Sequence, residues 1–170
     1  MKKACIAIAL FLIVVSSVSG KEGGTVDLIP VTQRRLAPEF VVTDVYGKRV
    51  ALSDYRGRVV LLDFWATICG GCKLELPWYL EFKKQYAAQG LSLIGMDMYG
   101  ELPETIRDFM KAKGMDYPVA VGTDDLGRQY GVTEIPVTVL IDRRGRIAIY
   151  HAGVVDKVEF QRDIEQLLHE

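Results

Sequence analysis

Two cysteines three residues apart, in Cys69-Gly70-Gly71-Cys72, are the residues of this 170-residue chain best placed to do chemistry. They follow an apolar run, Val59 to Trp65, that reads as a buried strand, and they open a stretch with helical spacing. At a helix N-terminus, unpaired backbone N–H groups and the helix dipole stabilise a thiolate and lower its pKa, which makes such a cysteine the attacking sulfur. Cys69 is therefore expected to attack. Cys72, one turn further along the same face, is expected to resolve the mixed disulfide that Cys69 forms with a partner. A CxxC pair between a strand and a helix is a strong redox signal. The same spacing also serves a plain structural disulfide, half of a zinc site, or a soft Cu(I) site. Zinc needs four ligands, and the two histidines, His151 and His169, stand far off in sequence.

Asp63 interrupts the apolar run six residues before Cys69. Burial without a charge partner raises a carboxyl pKa, and an acid near neutrality can relay a proton for Cys72. A carboxylate reaching the sheet end or solvent would not. Pro77 removes a hydrogen bond from the helix and is expected to kink it. Gly70 and Gly71 are expected to loosen the loop around Cys69.

The elements that must hold these residues alternate. Phe40 to Leu52 reads as a hairpin about Tyr46-Gly47-Lys48, and Ser53 to Arg56 as a helical turn. After the Val59 to Trp65 strand comes a helix from Gly70 to Gln89, stopped by Gly90. A strand over Leu91 to Met98, a helix over Glu104 to Lys113, a short strand over Tyr117 to Val121 and a short helix over Asp124 to Tyr130 follow. Val137 to Asp142 pairs with Arg146 to His151, a strand in which His151 is expected to be exposed, and Asp156 to His169 is an amphipathic helix with Glu159 placed for a capping box. Strand–helix alternation followed by a hairpin and a last helix argues an α/β fold with a mixed central sheet flanked by helices.

Lys2 and Lys3, an apolar stretch from Ala4 to Val18 and the small residues Ser16 to Gly20 form a secretory pattern over residues 1–20: a signal peptide or an N-terminal anchor. Residues 21–36 are expected to be a tether and 37–170 the domain. Cys5 is a bystander at the front of the apolar stretch. Export would put Cys69 and Cys72 where disulfides persist, in a periplasmic or other extracytoplasmic space. Loss of the leader takes the formal charge from −1 to −3, without the basic excess of a nucleic-acid binder.

The stretch Asp63-Phe-Trp-Ala-Thr-Ile-Cys-Gly-Gly-Cys-Lys-Leu-Glu-Leu-Pro77 resembles the active-site segment of thioredoxins, and Cys72 to Pro77 resembles the CxxCxxExP form of the TlpA/ResA-like family of exported thioredoxin-fold proteins. The likeness runs from about Ala37 to the C-terminus. Ala37-Pro38-Glu39-Phe40 with Gly47-Lys48 and Leu52-Ser53-Asp54 is similar to the N-terminal β-hairpin extension of that family, and about Glu101 to Val121 to its central strand/helix insertion. Ile135-Pro136-Val137-Thr138 looks like the loop whose cis-proline faces the CxxC, where an extended client segment adds as a short strand. Ile135, Pro136 and Trp65 are then the residues expected to meet a client. Glu101 resembles, after a one-residue shift, an acid some ResA-like proteins place by the cysteines, which makes it a candidate proton relay. The chain departs from the family at Ile68 and Gly71, where tryptophan and proline are common.

The resemblance implies a thioredoxin fold and a thiol-disulfide oxidoreductase that reduces disulfides of client proteins, such as apocytochrome c or copper-site proteins under maturation. Electrons would come from a membrane electron donor of thiol-disulfide type, with no dissociable cofactor and no metal. Two other readings are carried. One is a Cu(I)-binding metallochaperone-like module. The other is a thiol peroxidase, because peroxiredoxin-like proteins share the N-terminal hairpin pattern; those place a proline and a threonine ahead of the reactive cysteine, whereas here only Thr67 stands there, two residues before Cys69.

Overall fold

The computed structural model describes residues 28–170; the expected leader, Cys5 and the first part of the tether lie outside the described residues. Five strands form one mixed sheet in the order β5-β4-β3-β6-β7: β3 (Val59–Trp65), β4 (Leu91–Asp97), β5 (Val119–Val121), β6 (Val137–Ile141) and β7 (Ile147–Ala152). β3, β4 and β5 run parallel, while β6 is antiparallel to β3 and β7 to β6. The N-terminal hairpin, β1 (Val41–Thr43) with β2 (Arg49–Ala51), is a separate two-stranded sheet tied to β5 by an Asp44–Ala120 bridge. The chain opens the central sheet at β3, every residue of which is buried, as a strand covered on both faces requires.

Alternation along β3 divides its side chains between two cores. Val59, Leu61 and Trp65 meet Leu76, Tyr79 and Phe82 of α1 (Gly70–Tyr86), Ile106 and Met110 of α2 (Pro103–Lys113), and Phe160, Ile164 and Leu167 of α4 (Lys157–His169). Val60, Leu62 and Phe64 meet Leu126 and Tyr130 of α3 (Asp124–Tyr130) and Phe40, Val50 and Leu52 around the hairpin. Asp63 shares the parity of Leu61 and Trp65, so its carboxyl points toward α1. The expected insertion is α2 and β5, and β5 starts at Val119 rather than Tyr117. Pro118 has no N–H to give the ladder, so pairing begins one residue later, opposite Gly95. Asp156 caps α4, its carboxylate accepting from the N–H groups of Val158 and Glu159. Among the described residues no helix is long and apolar enough to cross a membrane.

From Leu28 on, the expected tether is already part of the domain. Ile29 N–H donates to Ala148, Ile147 N–H donates to Arg35, and Leu36 forms a bridge with Arg146. The buried guanidinium of Arg34 binds Ile29 O at 2.8 Å, Asp142 Oδ2 at 3.2 Å and Glu170 Oε1 at 2.9 Å, so one side chain joins the entering chain, the β6–β7 turn and the C-terminal residue. Composition gave no sign of this, because the partners lie more than 100 residues away. Replacing Arg34 by Ala is expected to cost about 2–4 kcal/mol in urea unfolding, since three acceptors lose a buried donor, whereas Glu170→Gln, at the exposed end of the pair, costs less than about 1 kcal/mol.

Candidate active site

β3 ends at Trp65, and Ala66-Thr67-Ile68 carry the chain across the sheet end into α1. Cys69 is the N-cap of that helix, in extended backbone, and its Sγ accepts the Cys72 N–H at 3.1 Å. Cys69 and Cys72 are joined in a disulfide, with Cα atoms 5.3 Å apart. Cys69 is half-buried, and Cys72 is only 6% exposed. The two sulfurs are thus unequal: a client sulfur can approach the first and not the second. Ile68, Leu74 and Val154 leave apolar surface exposed around this point.

The Ile135–Pro136 peptide is cis, as the loop resemblance implies. Pro136 is buried, and half-buried Ile135 packs against both cores. A methyl group on Gly71 would lie 3.0 Å from Val154 Cγ2 and 3.2 Å from Pro136 Cδ, whereas Gly70 has open space around it. Only Gly70 fits the expectation of a loosened loop. Gly71 is where the loop and the cis-proline loop come into contact, and the missing side chain permits that approach. Trp65, expected at the client surface, is in the core: it is 3% exposed, with its ring 5.4 Å from that of Phe109 on α2 and its indole nitrogen close against Gly95 of β4. Strand parity sends it inward beneath α2, so it supports the site from below. His151 is half-buried rather than exposed, with Nε2 3.2 Å from Val154 O.

Two acids are buried on the same side of the sheet as Cys72. Asp63 is buried, and its Oδ1 has no hydrogen-bond partner among the described residues. Burial, and next the negative charge of Glu75, push its carboxyl well above the usual carboxylate range. Glu75 is 0% exposed, one turn past Cys72, with Oε1 accepting the Val155 N–H at 2.8 Å. Burial pushes it up to about 7, against the pull of hydrogen bonds from Val155 and Tyr79. Glu75 lies inside the Cys72 to Pro77 motif, where the resemblance assigns it no role. Its spacing held the signal: an acid three residues after a buried helical cysteine lies on the same buried face.

Glu101 stands elsewhere. Its carboxylate accepts from Thr67 N–H at 2.8 Å and from the Thr67 hydroxyl in a shorter bond, while its own N–H donates to Asp97 Oδ2 at 2.9 Å. Burial alone would raise this carboxyl, but the Thr67 bonds, Asp97 and the charge of Lys73 hold it below its ordinary value. Asp97, wholly buried, is raised, first by its burial. Both Glu101 oxygens are engaged two residues before Cys69, so the geometry fits an anchor for the 66–68 loop in place of the expected proton relay.

A sequence model of the AhpC/TSA family matches residues 34–150. The thiol-disulfide oxidoreductase ResA of Geobacillus kaustophilus is 33% identical over 132 residues, 77% of this chain and 75% of its own length. ResA of Bacillus cereus is 36% identical over 133 residues, 77% of this chain and 72% of its own. Among solved structures, a thiol:disulfide interchange protein of the thioredoxin family from Chlorobium tepidum matches with a TM-score of 0.73 at 28% identity, over 80% of this chain and 97% of that one. A DsbF homologue from Corynebacterium diphtheriae, 21% identical with a TM-score of 0.76 over 86% of this chain and 96% of that one, shares the fold. Fold, sulfur pair and relatives agree, and the chain belongs to the AhpC/TSA family and, within it, to the TlpA/ResA-like thiol-disulfide oxidoreductases.

Proposed function

We propose that the protein works outside the cytoplasm as a reductant of client disulfides, with Cys69 as attacker, Cys72 as resolver and the buried carboxyls Asp63 and Glu75 as the proton exchangers for Cys72. The observation that carries this reading is the contrast between a reachable Cys69 and a buried Cys72, with two buried acids on the same side of the sheet, Asp63 raised by burial and Glu75 raised to about 7. In the dithiol form the Cys69 thiolate attacks one sulfur of a client disulfide, and the other client sulfur leaves as a thiolate and takes a proton. The Cys72 thiol then gives its proton to one of these carboxylates, and the new thiolate attacks Cys69 Sγ. The bond from Cys69 to the client breaks, and the client receives two electrons in all. The Ile135 backbone beside the cis-Pro136 offers a client segment a strand-like seat.

The reducing direction, the membrane thiol-disulfide donor and clients such as apocytochrome c rest on the family resemblance. The extracytoplasmic place rests on the apolar run of residues 4–18. Peroxide reduction draws less support, because the Thr67 hydroxyl donates to Glu101 and is not free to hold a peroxide oxygen beside Cys69.

Two measurements test the reading. A redox titration in thiol/disulfide buffers, with free thiols trapped by an alkylating mass tag and Cys69→Ser as control, is expected to give a reversible two-electron transition at or below about −230 mV. A value near about −120 mV would make the protein an oxidant, and no reversible transition would move the Cu(I) module forward. The acids also tie stability to pH. Glu75 is raised from 4.5 to about 7, so the folded protein holds that proton more tightly than the unfolded chain does. Its stabilising contribution is complete below about pH 4.5 and is lost as pH rises through about 7. In urea unfolding of the oxidised protein, wild type is expected to lose about 2–3 kcal/mol across that range on account of Glu75, and Glu75→Gln to lose less. Equal slopes in the two proteins would contradict a buried, protonated Glu75.

A further inference from the structure

Asp63 on β3 pairs directly with Thr138 on β6, and Thr138 with His151 on β7, so the three side chains leave the sheet on one face in one row. α1 lies over that face, and its residues Glu75 and Tyr79, four apart, are neighbours on the buried side of the helix. Tyr79 is 1% exposed, and its hydroxyl lies 2.7 Å from the wholly buried Thr138 Oγ1. The same hydroxyl lies against the Glu75 carboxyl. Val155 N–H occupies Glu75 Oε1, and Oε2, also buried, has no hydrogen-bond partner among the described residues.

Packing does not explain this hydroxyl. The ring stacks at tilted angles against Phe82 and Phe160, where a phenylalanine would serve as well and would bury no polar atom. The hydroxyl makes sense as a donor to a charge. Asp63 and Glu75 interact as like charges in a buried space, so both are not ionised together and their titrations belong to the pair. A fixed donor on one of them decides which holds the charge.

We infer that Tyr79 is a positioning residue for proton exchange at Cys72: anchored by Thr138, it donates to Glu75, keeps the pair's charge on Glu75 and leaves the pair's proton on Asp63. The inference rests on the reading of Cys72 as the resolving cysteine. In that step the Cys72 thiol gives its proton to the Glu75 carboxylate. The sulfur electron pair left behind forms the bond to Cys69 Sγ, and the client sulfur departs with the pair from the broken bond. The groups around the acids are Thr138 from β6, His151 in the same row on β7, the buried Tyr117 ahead of β5, Cys72 and Tyr79 on α1, and the Val155 N–H ahead of α4. Among these, Val155 N–H is bonded to Glu75 Oε1, and the Tyr79 hydroxyl is the other donor beside that carboxyl. Without the tyrosine hydroxyl, Glu75 binds its own proton more tightly and accepts the one from Cys72 only at higher pH.

The test uses the full chain with Cys5→Ser, so that Cys69 and Cys72 are its two thiols, reduced and mixed with 5,5′-dithiobis(2-nitrobenzoate) in stopped flow. The first thionitrobenzoate released reports attack by Cys69, and the second reports attack by Cys72 on the mixed disulfide. Tyr79→Phe is expected to move the pH midpoint of the second release upward by about one unit, about tenfold slower near neutrality, with recovery by about pH 9 and an unchanged first release. Thr138→Val, which frees the hydroxyl from its anchor, shifts the midpoint the same way by less. In a Glu75→Gln background, Tyr79→Phe is expected to add nothing. A uniform slowing at every pH, an unmoved midpoint, or a full effect in the Glu75→Gln background would each overturn the inference. Absence of any second release from wild type would instead remove the reading of Cys72 as resolver, and this inference with it.

Discussion

Seven backbone pairings join β3 to β4 and five join β3 to β6, and the site depends on that double hold. A strand paired on both edges and covered on both faces cannot slip by one residue, because a slip would exchange Leu61 and Trp65 for Leu62 and Phe64 and turn Asp63 to the wrong core. The fixed register delivers the chain end at Trp65 to one place, from which three residues reach the N-cap of α1. It also puts Asp63 opposite Thr138, and Thr138 lies two residues beyond the cis-Pro136 loop. The sulfurs, the cis-proline loop and the buried acid are therefore positioned by a single ladder.

Around that ladder the protein keeps carboxyls where water is scarce. Asp63 and Glu75 are buried on the side of the sheet that α1 covers, and Asp97 accepts the Glu101 N–H. Burial raises Asp63, Glu75 and Asp97, while Glu101 is held below its ordinary value by the donors of Thr67. The two sets do different work by geometry. The first lies on the side of the sheet where Cys72 is buried, and the second binds Thr67 in the loop that leads to Cys69. A buried acid near neutrality is a reservoir for one proton, whereas an acid saturated by donors is a structural anchor.

Much of this was legible along the chain, because the signals are local. An apolar run, a CxxC, a helical spacing and a Gly stop each occupy one segment, and all the expected elements of the sheet and the four helices form close to their expected bounds. The proline loop was legible through its resemblance. Trp65 packs beside the site and does not meet a client, because a residue at a strand end can face either way and only the helix that covers it decides. The segment before Ala37 hides its ties for a similar reason: Arg34 looks like an ordinary surface charge until Asp142 and Glu170 are brought to it.

What the sequence determined by itself is the redox pair, its strand-to-helix setting, the family and the order of elements, since each is written in residues that are neighbours on the chain. The tertiary structure alone decided which carboxyls share a chamber, that Glu75 joins Asp63 while Glu101 holds Thr67, and that Tyr79 finds Thr138 fifty-nine residues away. The physical reason is that a carboxyl's protonation depends on what surrounds it in space. Desolvation and neighbouring charge come from packing across the sheet, and a one-dimensional pattern does not state which faces will meet.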